Sequence, residues 1–189
     1  IEESVRRIAS IAVVHETLSR EAGDDVPFTD IARPIIRMVE ESLMAPERAV
    51  LFRLVGDAPT LPADVATPLA LVLTELLQNT VDHAYHQSPS AEGSGESGGA
   101  APVDSGEVIV TVTGPYDVDG AARVRVGVLD DGAGLAEGFS LDGSTGLGLS
   151  IVRTLVEHEL EGTISVRGRD DGRTGTEVVV EVPLVRDHD

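Results

Sequence analysis

The sequence predicts an α+β fold, a two-layer sandwich in which helices pack on one face of a mostly antiparallel sheet, preceded by a separate N-terminal helix. Three observations predict it. Valine-rich segments with turn signals between them crowd the second half of the chain. An apolar helix through Glu75-Leu-Leu-Gln-Asn79-Thr-Val-Asp-His83-Ala84 comes before them. Two glycine motifs, Asp130-Asp-Gly132-Ala-Gly134 and Gly146-Leu147-Gly148-Leu149, fall where a strand becomes a loop and where a loop becomes a helix. Helices segregated from strands in this way make an α+β domain.

In chain order, residues 1–22 read as a helix. Ile1, Val5, Ile8, Ala12 and His15 alternate spacings of four and three, and Ile11, Leu18 and Ala22 widen the stripe. Such a seam packs against another helix. Gly23-Asp-Asp-Val-Pro27 ends it. A second helix is expected over residues 30–45, capped by Thr29 or Asp30. Ala49–Val55 reads as a strand. Pro62 and Pro68 suit a turn and the first turn of the Glu75 helix. Residues 88–106, rich in Ser, Gly, Glu, Pro and Ala, cannot bury a core and are expected to form a mobile insertion. Glu107–Thr113 and Arg123–Leu129 are strands joined by a hairpin loop over 114–122. Leu135–Thr145 is a glycine-dotted connection, and 146–161 a helix. Thr163–Arg167 and Thr176–Pro183 are strands joined at Asp170-Asp-Gly-Arg. The domains expected are therefore 1–22, the helical piece, and 23–189, the sandwich.

Composition excludes several functions. The net charge is −19 and all 14 basic residues are arginine. That balance opposes non-specific nucleic-acid binding and attachment to an anionic membrane. Without lysine there is no GxxxxGK[ST] phosphate loop. Without cysteine there is neither a disulfide nor a thiolate metal site. No apolar run reaches the ~20 residues that span a bilayer. Ile1 is not a natural start, so the sequence reads as a soluble, cytoplasmic piece of something longer.

At about 100° per residue, Glu75, Asn79, Asp82 and His86 fall within roughly 60° of arc. Leu69, Leu73, Leu76, Thr80 and Ala84 face the other way. A carboxylate and a carboxamide one turn apart suit a hard cation and a water or hydroxyl beside a polyphosphate, although a solvated polar face looks the same. His83 lies at the border of the apolar face and fits either a packed side chain or a phosphate contact. Asp130 ends a strand, where its carboxylate could accept a hydrogen bond from an exocyclic amine such as that of adenine. The glycines after it allow close approach of backbone to a ligand, as they would in a plain surface turn. Gly146, Leu147, Gly148 and Leu149 open a helix whose free N–H groups would face a phosphate. Ile151 occupies the third glycine position of a dinucleotide fingerprint, so that reading fails.

In this order, and with Gly175-Thr176 entering the last strand, the motifs resemble the ATP-binding domain shared by sensor histidine kinases, type II topoisomerases, mismatch-repair ATPases and heat-shock chaperone ATPases, the GHKL superfamily. The resemblance covers approximately residues 50–185. It implies ATP and Mg2+ as ligands, Asn79 as the side-chain ligand of Mg2+, and Glu75 as the residue that polarises the attacking group. It also implies Asp130 as the adenine reader with Gly132 and Gly134 as pocket wall. Gly146 and Gly148 become the end of a lid with triphosphate contacts, and Thr176 an adenine contact through water. Asp82 stands where many kinases carry a cation, and the lid's Phe139 is isolated, so phosphate contact and lid closure are built differently.

Arg6-Arg-Ile-Ala-Ser-Ile-Ala-Val-Val-His15-Glu16-Thr-Leu-Ser19 resembles the second helix of the dimerisation and phosphotransfer hairpin of one histidine-kinase subfamily. Ala66-Thr-Pro68 and the stretch from Gly148 to Leu155 share that similarity. The subfamily's phosphoacceptor lies on the first helix, in an H-R-x-K-N context absent here, and His15 sits in the apolar seam. The implied protein is a cytosolic, homodimeric sensor kinase that phosphorylates a histidine outside this chain and then a response regulator. An anti-sigma-factor serine kinase and a non-catalytic nucleotide sensor are the alternatives. The hairpin-like helix opposes the first, and the presence of both Glu75 and Asn79 gives the second no support.

Overall fold

A computed structural model describes residues 25–42, 48–57, 59–84, 104–141, 143 and 147–184, together with Ala12. The expected helix over 1–22, its His15, Gly146 and residues 88–103 of the expected insertion lie outside them.

Among the described residues seven strands and three helical segments follow one another. They are β1 (Asp25–Pro27), α1 (Phe28–Ser42), β2 (Arg48–Val55), β3 (Thr60–Pro62), α2 (Ala63–Ala84), β4 (Asp104–Val118), β5 (Ala121–Asp130), α3 (Leu147–Thr154) continued by a π-turn (Leu155–Glu159), β6 (Thr163–Gly168) and β7 (Thr176–Pro183). The main sheet has the order β2-β4-β5-β7-β6; β1 and β3 form a two-stranded ribbon. Only β2 and β4 run parallel. The expected α+β sandwich is the architecture found.

Side chains alternate between the two faces of a strand. Val108, Val110 and Val112 of β4, Val124, Val126 and Val128 of β5, and Val178, Val180 and Val182 of β7 are therefore all buried on one face. On the other face Arg53 pairs with Glu107 at 2.8 Å and Arg167 with Glu177 at 2.6 Å, and Arg125 pairs with Glu181. The helices cover the valine face. Phe28, Ile31, Ala32, Ile35, Ile36 and Val39 give α1 a buried stripe at helical spacing. The α2 helix is buried on almost every side, from Val65 to Val81. Its buried hydroxyls are satisfied within the helix: Thr74 donates to the carbonyl of Ala70 at 2.9 Å and Thr80 to that of Leu76 at 3.0 Å.

Several boundaries differ from the sequence expectation. The first described helix starts at Phe28, whose N–H donates to the Pro59 carbonyl at 3.1 Å, so Thr29 and Asp30 lie inside its first turn and do not cap it. Pro62 ends a three-residue strand and Pro68 is the sixth residue of α2, past its first turn. The β4–β5 hairpin is tighter than expected. Its turn is Asp119-Gly120, both with positive φ, the conformation that a two-residue hairpin loop demands. Both strands continue into the expected loop, with a register shift between Thr113 and Tyr116, on either side of Pro115. Residues 104–106, assigned to the insertion, belong to β4. The last helix becomes a π-turn at Leu155, where the Leu160 N–H reaches the Leu155 carbonyl at 2.8 Å. That wider turn keeps Val152, Val156 and Leu160 all in the core. Among the described residues no helix is long and apolar enough to cross a membrane.

Leu73 is fully buried on α2. Leu73→Ala should lower the unfolding free energy by about 2–5 kcal/mol, read from urea denaturation with an unchanged slope.

Candidate functional site

The sheet's parity builds one end of the site. Val124, Val126, Val128 and Asp130 share a face of β5, so Asp130 continues the buried valine row with a carboxylate in place of an isopropyl group. Only 4% of Asp130 is exposed. Its Oδ1 accepts hydrogen bonds from the N–H of Gly132 at 2.9 Å and of Thr176 at 3.2 Å. Among the described residues nothing donates to Oδ2. Burial pushes the Asp130 carboxyl above the usual carboxylate range, against the two N–H donors and Arg169, which pull it down.

Two glycines let the backbone close around this carboxylate. A Cβ on Gly132 would lie 2.2 Å from the Ala84 Cβ, so the loop after β5 can rest on the C-terminus of α2 only without a side chain there. Ala133 N–H seals the contact by donating to the Ala84 carbonyl at 3.3 Å. Gly175, with φ +132°, passes so near Asp130 that a Cβ would come within 2.0 Å of the Asp130 carbonyl oxygen. Gly134 is also at positive φ, and a Cβ on it would lie 3.5 Å from the Gly175 nitrogen. Asp130, Gly132, Gly134 and Thr176 are thus brought together.

The other end is on α2. Glu75 is 5% exposed and not on an open face, because α3 packs across that side of the helix. Gly148 makes the close crossing possible. A Cβ there would lie 2.8 Å from Asn79 Oδ1 and 3.2 Å from Glu75 Oε2. The carboxylate and carboxamide are therefore flush against the start of α3, which opens at Leu147 and carries half-buried Leu149 into the core edge. The Asn79 Nδ2 is buried without a hydrogen-bond partner among the described residues. Such a group costs free energy unless a ligand or water meets it. His83, in the last turn of α2, is exposed and not packed; Asp82 is exposed beside it. Ala84 lies five residues beyond Asn79 and nine beyond Glu75, about 8–14 Å along the helix axis. The connection after Gly134 contains local turns, with Phe139 N–H on the Ala136 carbonyl at 3.0 Å and Gly143 N–H on Ser140 Oγ at 3.0 Å.

A family model described as histidine kinase-, DNA gyrase B-, and HSP90-like ATPase matches residues 64–186. The chain belongs to that family. Within it, the chain is 39% identical over 184 residues to the sensor histidine kinase PdtaS of Mycobacterium tuberculosis and 36% identical over 185 to that of Mycolicibacterium smegmatis. Each alignment covers 97% of this chain and 32% of the relative, so the chain spans about a third of these proteins. The fold is also that of the blue-light activated histidine kinase EL346 of Erythrobacter litoralis, with TM-score 0.72 and 21% identity, over 97% of this chain and 55% of the other. The catalytic domain of the histidine kinase ThkA matches with TM-score 0.58 and 24% identity, over 85% of this chain and 94% of that domain.

The residue that sequence reasoning missed is Arg169, whose side chain is 7% exposed and touches the Asp130 loop. Nothing in the string Gly168-Arg-Asp-Asp-Gly172 separates it from a solvated turn arginine.

The raised carboxyl of Asp130 has a consequence for stability. Its ionised form costs the folded state most at pH above its own raised value, and the cost is relieved as pH falls through that value into the ordinary carboxylate range. Asp130→Asn retains the acceptor at Oδ1 and removes the buried charge. Its melting temperature should exceed the parent's at neutral pH, with the difference shrinking in acid; calorimetric scans at the two pH values check this.

Proposed function

We propose that this chain is the ATP-binding catalytic part of a sensor histidine kinase, one that holds Mg-ATP and moves the γ-phosphoryl group to a histidine outside the chain. The observation that carries the reading is a buried carboxylate, Asp130, whose loop rests on the C-terminus of α2, together with buried Glu75 and its neighbour Asn79 further back on that helix under Gly148. Their similarity in sequence to PdtaS, a sensor histidine kinase, supports the choice within the family.

In this reading Asp130 accepts a hydrogen bond from the exocyclic amine of adenine through Oδ2, while Gly132 and Gly134 form the pocket wall. Thr176 assists through an ordered water. The N-terminus of the last helix, at Leu147, Gly148 and Leu149, offers backbone N–H groups to the triphosphate, and Gly146 before it is proposed to add to them. Exposed His83 adds a phosphate contact. Asn79 holds Mg2+, which when bound neutralises charge on the triphosphate. The residue fits that ion in kind: the Asn79 carboxamide oxygen is a hard ligand, and its buried Nδ2, without a partner among the described residues, is a donor suited to a phosphate oxygen beside the ion. Magnesium is commonly held by one or two side chains together with phosphates. Glu75, dry and next to Asn79, polarises the attacking imidazole. Catalysis is then positioning and electrostatic stabilisation.

The whole protein is proposed to be a cytoplasmic homodimer. Residues 1–22 would be the end of its phosphotransfer hairpin, residues 23–189 the catalytic domain, and a response regulator the final acceptor.

Asp130→Asn should weaken ATP and adenosine alike by about 1.5–3 kcal/mol, whereas Asn79→Ala should weaken ATP only when Mg2+ is present. Titration calorimetry with both ligands tests this; equal losses for both ligands in both variants would contradict the assignment. With labelled ATP the 189-residue chain should form almost no stable phosphohistidine, and a longer form with the upstream helix should label and pass the phosphate on. Stoichiometric label on His15, found by mass spectrometry, would make the first helix the acceptor instead.

A further inference from the structure

The turn between β6 and β7 is tied to Asp130 from both its ends. At its exit, Thr176 N–H holds Asp130 Oδ1 at 3.2 Å. At its entrance, Arg169 Nη1 donates to the Asp130 main-chain carbonyl at 3.2 Å, and the Arg169 N–H donates to the Gly175 carbonyl at 3.3 Å. The remaining edge of the guanidinium is occupied by Asp171: Nε donates to Oδ1 at 3.1 Å and Nη2 to Oδ2 at 2.6 Å. Arg173 also reaches Asp171, with Nε at 2.9 Å from Oδ2. The Arg169 side chain is only 7% exposed, and a Cβ on Gly175 would lie 2.7 Å from its Cδ. An arginine fork pinned by a carboxylate has a fixed plane and few rotamers left. Its third donor is therefore delivered to one place, the carbonyl of Asp130.

We propose that Arg169 is a positioning residue for base recognition, fixing the rotation of the Asp130 peptide and hence the direction of the free carboxylate oxygen. The proposal rests on the reading of Asp130 as the adenine contact. Two N–H groups hold one carboxylate oxygen, but one comes from the loop at Gly132 and the other from the first residue of β7, just after Gly175. The Arg169 main chain holds the Gly175 segment, and its guanidinium holds the carbonyl of Asp130 itself, just before the Gly132 segment begins. Without it the carboxylate could still be solvated and the loop still folded, yet the angle between Oδ2 and a bound amine would no longer be set. Discrimination between bases depends steeply on that geometry.

The test compares ATP with inosine triphosphate, which carries a carbonyl where adenine carries its amine, on the 189-residue chain. Calorimetry should give a preference for ATP in the parent. Arg169→Gln should shrink the ATP-to-ITP affinity ratio by about fivefold or more, chiefly through weaker ATP, with the melting temperature of the fold largely kept. Arg169→Lys, which keeps a charged donor, should recover part of the ratio and serves if the glutamine variant does not fold. A loss in which both nucleotides weaken equally would overturn the proposal, since a merely structural arginine lowers both. So would an unchanged ratio in Arg169→Gln and Arg169→Lys while Asp130→Asn alters it, a result that leaves the adenine reading standing. A ratio that is insensitive to Asp130→Asn as well would remove the adenine reading itself and this inference with it.

Discussion

Everything at the site depends on a carboxylate placed on the core-facing side of a sheet. Asp130 takes the parity of Val124, Val126 and Val128, so the strand that builds the floor of the core also delivers a charge into it. Burial of an ionised group without partners is prohibitive. Two backbone N–H groups, one from each flanking segment, make it tolerable at one oxygen. The neighbouring features follow from that need. Gly132 must lack a side chain because Ala84 closes over it, and Gly175 must lack one because the Asp130 carbonyl is there. The raised carboxyl of Asp130 is the residual cost of that burial.

The far end of the cleft follows a parallel logic on a helix. Thr74 and Thr80 are buried on α2 and satisfy themselves against carbonyls one turn back. Asn79 does not: its Nδ2 has no hydrogen-bond partner among the described residues, although α3 crosses immediately above it at Gly148. A self-satisfied polar group belongs to the core. An orphaned one at a helix crossing is available to a ligand.

Most of the fold was legible because its signals are periodic. The alternating valines of β4, β5 and β7 and the helical spacing of Phe28, Ile31, Ile35 and Val39 are enforced by burial and so are written in the residue types. The motif residues were legible as types in order: Glu75 and Asn79 one turn apart, Asp130 at a strand end, glycines where backbone must approach closely. What escaped was set by tertiary context. The wheel placed Glu75 on an open face because it could not know that α3 would cover that face. The two-residue turn at Asp119-Gly120 was present as a signal, but Gly114-Pro115 drew the strand ends inward; the strands run on instead, with a register shift beyond Thr113. Arg169 had no signal at all, since its role comes from contacts 39 residues away in sequence.

In the proposed function one nucleotide bridges two separately built ends, the base at Asp130 and the phosphates at Asn79 and Gly148. The most direct measurement is a two-dimensional 1H–15N NMR titration of the isotopically labelled chain, once with adenosine and once with Mg-ATP. Adenosine should shift the amide signals of Gly132, Gly134 and Thr176 alone, and Mg-ATP should shift these together with Asn79, Gly148 and Leu149. Adenosine signals that appear first at Gly148 and Leu149, with Gly132 and Thr176 unmoved, would contradict that function.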